Sequence, residues 1–458
     1  MSAAAPSAAP VRPTRRRHAR VARLAALAVL AATAIGIAAT GETVAAFQDP
    51  GAVSVDLASH PLSLQGVGAN AHGQLGTGGR GSNATTFRLA DPAGSLPGLV
   101  TDAAVGEFHG CAVVEGRVYC WGDNATGQLG NGTSTASDTP VPVSPNPGDA
   151  LYDRVAVEVA VGSVADGRGF TCASVIAPSG GMEVYCWGDN YYGQLGIGGK
   201  PHQYLPTLVT GIPFGPSTVV GDLSLGIEYS CGVVDGQAWC WGRNVQGRLG
   251  NGTTESRTTP ALVKGDAAFE AAQSARRVTD VAADGVVTCA VADARAYCWG
   301  DALWGGLGNG STAGAAVTSA RPVAVDGASA LPSSARVRSV GVMYNGGCAL
   351  TEAGEVFCWG NNSQGQNGRG TTGGSDAARP VKVGALAQPA VELATAQEAA
   401  CVRYGDGRLA CWGDNRRGQL GRGTTTSSGA ATVVTMPSTR PVLRIVGGAG
   451  SFLAVQGY

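Results

Sequence analysis

The segment CAVVEGRVYCWGDNATGQLGNGT, residues 111–133, decides the fold of this 458-residue chain, because the chain writes it repeatedly. Cys-Trp-Gly followed by a Gly-rich run begins at Cys120, Cys186, Cys240, Cys298, Cys358 and Cys411. A seventh copy, GVGANAHGQLGTGG from Gly66, lacks the cysteine. The tryptophans lie 53 to 66 residues apart. Self-similarity at such a period marks a repeat architecture, in which one closed array can take the whole chain. The 71 glycines recur at fixed places in the repeat. They punctuate turns that need φ > 0 rather than signalling disorder.

Each Cys-Trp-Gly cysteine is preceded by another, giving Cys111 and Cys120, Cys172 and Cys186, Cys231 and Cys240, Cys289 and Cys298, Cys348 and Cys358, Cys401 and Cys411. Between them lies strand, turn, strand. A two-residue turn at Glu115-Gly116 sets Val114 opposite Arg117, Val113 opposite Val118, Ala112 opposite Tyr119 and Cys111 opposite Cys120. The Asp235-Gly236 turn does the same for Cys231 and Cys240, and three-residue turns centred on Ala353 and Asp406 do so for two more pairs. Directly opposed residues at a non-hydrogen-bonded site have Cβ atoms close enough to bridge. Zinc sites need shorter spacings with a second pair nearby, and redox sites need Cys-x-x-Cys. The expectation is six structural disulfides, one per hairpin.

The tail RIVGGAGSFLAVQGY, residues 444–458, is a first half-unit with Leu453 at the cysteine position. The early phrase LSLQGVGAN, residues 62–70, is a second half-unit with Gly66 there. Both cysteines of a seventh pair are absent together, so head and tail read as two halves of one unit. Seven units then form a ring shut by its own termini, which leaves only short protected edges. In YCWG, Tyr119 and Trp121 point to one side and Cys120 to the other. Blades packed face to face bury both sides, so the tryptophan series reads as core rather than as a ligand platform.

Arg12, Arg15, Arg16, Arg17, Arg20 and Arg23 precede an apolar run from Leu24 to Ala39, and Val44-Ala45-Ala46 supplies small residues for cleavage. Residues 1–46 read as an export signal, with an uncleaved N-terminal anchor as the alternative. Localisation is then secreted or cell-surface, where disulfides persist. Cleavage after Ala46 removes six Arg and Glu42, leaving 26 basic and 32 acidic residues and a net charge of −6. Charged residues make up 14% of the chain and form no basic stretch after the leader, which argues against a nucleic-acid partner.

The phrase CWGDNxxGQLGNGT, the segment Gly106 to Val113 and the tryptophan spacing resemble the regulator of chromosome condensation repeat family. The resemblance covers about residues 50–458 and implies an all-β, seven-bladed β-propeller. The founding nuclear member is a nucleotide-exchange factor for a small GTPase and binds chromatin. The export signal, the disulfides and the negative mature charge argue against carrying over either activity. Secreted bacterial members, often described as α-tubulin-suppressor-like, resemble this chain more closely. The propeller-type β-lactamase inhibitors are related secreted rings.

Where all units agree, the fold is speaking; where they differ at one place, function can be. The pair inside N-x-x-G varies, as do the residues before the first cysteine of each unit. Both sets lie at the same end of the hairpins, which predicts one face carrying Phe108, His109, Phe170, Tyr191, Tyr192, Tyr229, Trp304, Tyr344, Arg416 and Arg417. Tyr, Trp and Arg are enriched at interface hot spots, and loops on a rigid scaffold are the usual place for binding. The competing reading is ordinary solvated loops with aromatic caps.

Enzyme signals are poor: five histidines, one of them in the leader, and no H-E-x-x-H, G-x-S-x-G or P-loop. Asp123, Asp189, Asp301 and Asp414 place one carboxylate in each of four blades, too spread to build a calcium site. No metal and no cofactor are expected. The reading is a monomeric, exported, non-catalytic module that binds an extracytoplasmic protein or a surface glycan, touching a membrane only through an uncleaved anchor. The rivals are a secreted enzyme inhibitor, an exchange-like activity, and an enzyme with a site in the central channel. The last needs carboxylates or histidines converging there.

Overall fold

The computed structural model describes residues 63–457, apart from 92–93, 165, 313–317, 326–330 and 374–375. The export signal assigned to 1–46, and residues 50–62 of the propeller, lie outside the described residues. The described chain forms seven four-stranded antiparallel sheets. Six are continuous in sequence: blades 1 to 6 span 100–142, 156–208, 220–262, 278–324, 337–382 and 390–433. Blade 1 shows the plan. Its innermost strand Val100–Val105 is followed by the cysteine strand His109–Val114, the Cys-Trp-Gly strand Arg117–Gly122 and the outer strand Ser137–Pro142. Innermost strands of successive blades lie side by side around the axis, and that of blade 7 lies beside that of blade 1.

Blade 7 is the joint of head and tail. Val442–Gly448 and Ser451–Gln456 from the C-terminus supply its inner strands, and Ser63–Gly68 and Ala84–Leu89 from the N-terminus supply its outer ones. Gly66 stands opposite Leu453, the two positions where the other blades carry cysteine. A Cβ on Gly66 would come within 3.2 Å of Leu453 Cδ2, so the leucine side chain fills the space a disulfide takes elsewhere.

Hairpin registers follow the sequence reading. Cys111 pairs with Cys120, Ala112 with Tyr119 and Val114 with Arg117 across Glu115-Gly116, both at positive φ. The bridges Cys111–Cys120, Cys172–Cys186, Cys231–Cys240, Cys289–Cys298, Cys348–Cys358 and Cys401–Cys411 are all formed, with Cα atoms 4.0–4.1 Å apart. All six bridging tryptophan neighbours, from Trp121 to Trp412, are fully buried.

Disulfides hold strands within a blade; tryptophan holds one blade to the next. Each indole N–H donates to a carbonyl in the Gly-rich loop of the preceding blade. The pairs are Trp121 to Gln74 (2.8 Å), Trp187 to Gln128 (2.9 Å) and Trp241 to Gln194 (2.8 Å). Trp299 to Arg248 (2.8 Å), Trp359 to Gly306 (3.0 Å) and Trp412 to Gln366 (2.9 Å) complete the series. The loop is held in shape by its Asn: Asn124 Oδ1 accepts from Leu129 N at 2.9 Å, and its Nδ2 donates to the carbonyls of Thr133 and Thr135. The following glycine lets the indole approach. At Gly196, φ is +70° and a Cβ would lie 2.8 Å from Trp241 Nε1.

Gly196→Ala therefore meets both a left-handed backbone and the indole, and should cost about 2–3 kcal/mol in urea unfolding. Trp241→Phe keeps the ring but leaves Gln194 O with Ser230 Oγ alone (2.7 Å), and should cost about 1–2 kcal/mol. Replacing both Cys231 and Cys240 by Ser reopens a short loop and should cost about 2–3 kcal/mol without changing the far-ultraviolet circular dichroism.

Candidate interaction face and central channel

In each blade the turn between the first two strands and the Gly-rich loop leaving the third strand open at the same end, as antiparallel order requires. This end is the face expected from sequence. Tyr191 is 60% exposed, Trp304 50% and Tyr344 41%, and they belong to blades 2, 4 and 5. Val245 of blade 3 is exposed between them, so an apolar arc crosses four consecutive blades. Tyr192 is half-buried; it meets Tyr191 edge-on at 4.9 Å and carries the Arg243 guanidinium 4.8 Å above its ring. Arg243 is itself ion-paired to Glu228. Trp304 sits at φ +59°, in the left-handed region, whereas the matching residues His72, Thr126, Tyr192, Gln246, Gln364 and Arg417 do not. Tyr344 rests against the backbone of Gly285 in blade 4, and its N–H donates to Gln397 O at 2.7 Å.

The other half of the face is charged. Arg416 and Arg417 are exposed on blade 6, and Arg416 Nε donates to Asp414 Oδ1 at 2.8 Å while its far nitrogen pairs with Glu398. At blades 7 and 1, Asp123 accepts from His72 Nδ1 (2.6 Å) and from Arg80 Nη1 (2.6 Å).

Four residues expected on this face are instead buried. Phe108 is 6% exposed, His109 1%, and Phe170 and Tyr229 0%. They stand at or next to the start of the cysteine strand, where side chains enter the packing between blades. Phe170 fills the space over Gly162 and near Leu225. Tyr229 OH donates to Val287 O (2.9 Å) and lies 2.9 Å from Thr288 Oγ1 in the next blade. His109 Nε2 lies 2.8 Å from Thr171 Oγ1, and burial pulls its pKa down to about 3, so the ring is neutral. Phe108 packs edge-on against His72 at 4.8 Å. These four side chains join blades and cannot touch a partner.

The channel holds a constellation absent from the sequence reading. The third residue of each innermost strand, just past a β-bulge, faces the axis region: Asp102, Glu158, Asp222, Asp280, Ser339, Glu392 and Arg444 around the ring. A cavity of about 210 Å³ lies among Glu158, Asp222 and Arg444. Each of the first four carboxylates accepts from the next blade's innermost strand. Asp102 takes Val159 N (2.8 Å), Glu158 takes Leu223 N (3.2 Å), Asp222 takes Val281 N (2.9 Å) and Asp280 takes Val340 N (2.7 Å). Arg444 Nη1 closes the run, 2.8 Å from Asp102 Oδ1 across the junction of blades 7 and 1. Glu392 pairs instead with Arg403 at 2.6 Å. Carboxylates thus converge in the channel, and at least one oxygen of each of Asp102, Glu158, Asp222 and Asp280 is engaged in joining blades. The signal for them was a repeated acid in VTD, AVE, VGD and VTD, hidden because no Cys-Trp-Gly marks that strand.

Burial raises the pKa of Asp102, Asp222, Glu158 and Asp280, the last two well above the usual carboxylate range because neighbouring carboxylates add to the effect. Burial also pushes Asp284, whose Oδ1 accepts from Gly285 N at 2.7 Å, up to about 6. Groups with raised folded-state pKa contribute stability below the ordinary range near 4 and lose it as pH rises through the raised values. The ring should therefore unfold at higher urea at pH 5 than at pH 7.5, by less than the acids alone would give, because the buried neutral His109 acts in the opposite sense. Asp222→Asn keeps an acceptor for Val281 N and removes a like charge. It should gain about 1 kcal/mol at pH 7.5 and narrow the difference between the two pH values.

This geometry defines a disulfide-stapled, seven-bladed propeller whose blades are clasped by tryptophan. Residues 115–173, 183–231, 235–291, 353–401 and 406–455 match the Regulator of chromosome condensation (RCC1) repeat, and 100–128 and 337–366 match a second description of it. The chain belongs to the regulator of chromosome condensation repeat family. It is 28% identical over 370 residues to the Ultraviolet-B receptor UVR8 of Arabidopsis thaliana, covering 80% of this chain and 77% of that protein. It is 28% identical over 399 residues to the human E3 ubiquitin-protein ligase HERC2, covering 86% of this chain but 8% of that much longer protein. Among solved structures, human WBSCR16 superposes with TM-score 0.71 at 19% identity, over 87% of this chain and 99% of that one. Prp20p of Saccharomyces cerevisiae superposes with TM-score 0.70 at 18% identity, over 88% and 93%. A propeller of this family suits a protein-interaction module. Six disulfides are consistent with an extracellular protein. Among the described residues no helix is long and apolar enough to cross a membrane.

Proposed function

We propose that this chain is an exported, non-catalytic propeller, directed outward by residues 1–46, that captures another protein on the aromatic half of its loop face. One observation carries the reading. At positions that vary between units, blades 2 to 5 each expose one large apolar side chain, Tyr191, Val245, Trp304 and Tyr344. Trp304 is half exposed in a left-handed conformation, which costs free energy that a solvated loop has no reason to carry. Tyr192 and Arg243 are pre-stacked, so less side-chain entropy is lost on docking. The charged half, with Arg416 and Arg417, provides a polar rim.

The test is affinity capture from the secreted and surface proteins of the producing organism. Simultaneous Tyr191→Ala, Tyr192→Ala, Trp304→Ala and Arg416→Ala should abolish capture while leaving the thermal melt nearly unchanged, since Tyr191, Trp304 and Arg416 are exposed and Tyr192 is half-buried. Unchanged capture by that variant overturns the assignment of the face.

A further inference from the structure

One blade junction departs from the rest. Between blades 6 and 7 the tryptophan position is occupied by Val67. Phe87, from the outer strand Ala84–Leu89, lies there instead, 3.0 Å from where a Cβ on Gly421 would stand. A phenyl ring arriving from a different strand does not fill the outer part of the junction. A groove of about 480 Å³ remains, lined by Thr86, Phe87, Arg422, Val433, Met436 and Pro437. That volume falls within the range of roughly 300–1,000 Å³ typical of small-ligand sites. The walls are largely apolar, and Val433 among them is 43% exposed.

Arg422 gives the groove a charge. It occupies the loop position held by Thr77, Asn131, Ile197, Asn251 and Asn309 in five other units and by a second arginine, Arg369, in blade 5. Its Nη2 donates to Thr426 O at 3.1 Å, while its Nε is buried with no acceptor. No carboxylate pairs with it among the described residues. Burial lowers its pKa with no acid to offset the effect. A partly desolvated guanidinium with no acid beside it is matched by a carboxylate, which accepts from its planar fork.

We propose that this groove binds an amphipathic carboxylate of the fatty-acid class, its head on Arg422 and its alkyl chain along Phe87, Val433 and Met436. Charge complementarity selects the head, and the apolar walls select the tail.

The experiment titrates the whole protein with dodecanoate, below its micellar range, by isothermal calorimetry. Expected is saturable binding at one site, weakened about tenfold or more in Arg422→Gln by loss of the charge-assisted contact. Val433→Trp, which fills the groove, should abolish it. Dodecanol should bind far more weakly, and acetate should not bind. The proposal is overturned by the absence of dodecanoate binding at millimolar concentration, by equal affinity in both variants, or by equal affinity for dodecanol. Tighter binding of an apolar tripeptide with a free C-terminal carboxylate would also overturn it, in favour of a polypeptide terminus. Near-ultraviolet circular dichroism checks that each variant is folded, and Val433→Trp keeps the test decisive should Arg422→Gln disturb its loop.

Discussion

The contact on which the ring depends is the buried indole N–H of each Cys-Trp-Gly tryptophan reaching a loop carbonyl in the blade before it. A buried N–H without an acceptor is costly, and a loop carbonyl turned inward is equally so. Each satisfies the other only when two blades are docked in one relative orientation. Thr171, Ser230 and Thr288 donate to the same carbonyls as the neighbouring indoles, so that position is doubly claimed. Asn, Gly and Leu in the Gly-rich loop exist to present this carbonyl.

Two further systems act on different scales. Disulfides fix register inside six hairpins, where packing alone would leave pairing dependent on neighbours. Asp102, Glu158, Asp222 and Asp280 tie innermost strands together at the axis, each by accepting the next strand's N–H. Blade 7 has neither tryptophan nor disulfide. It relies on strands from both termini sharing one sheet, on Leu453 filling the place of sulfur, and on Arg444 pairing with Asp102. The chain's least reinforced junction is thus the one between blades 6 and 7, where Phe87 stands in for an indole and a groove remains.

With the repeating residues committed to the scaffold, binding is left to those that differ between blades. The face divides into an aromatic half on blades 2 to 5 and a charged half on blades 6, 7 and 1. Most of its charges are paired within the protein, as Arg243 with Glu228 and Arg416 with Asp414 show. Paired charges hold their side chains in place and leave the aromatic rings as the groups with surface to lose.

The repeat and the cysteine pairs were legible in the sequence because short-range geometry decides them, and the closure of the ring because head and tail each carry half of one unit. A two-residue turn sets its own register, and the joint absence of Gly66 and Leu453 from the cysteine set marks two half-units that need each other. Which variable residues stay exposed was decided by the tertiary structure. Tyr191 and Phe170 both occupy positions that vary between units, yet one is mostly solvated and the other is enclosed by Gly162 and Leu225, the latter from the neighbouring blade. The same holds for Asp102, Glu158, Asp222 and Asp280, unremarkable along the chain and adjacent only around the axis. Burial and electrostatics depend on what the neighbouring blade brings some sixty residues away, and periodicity alone does not specify those contacts.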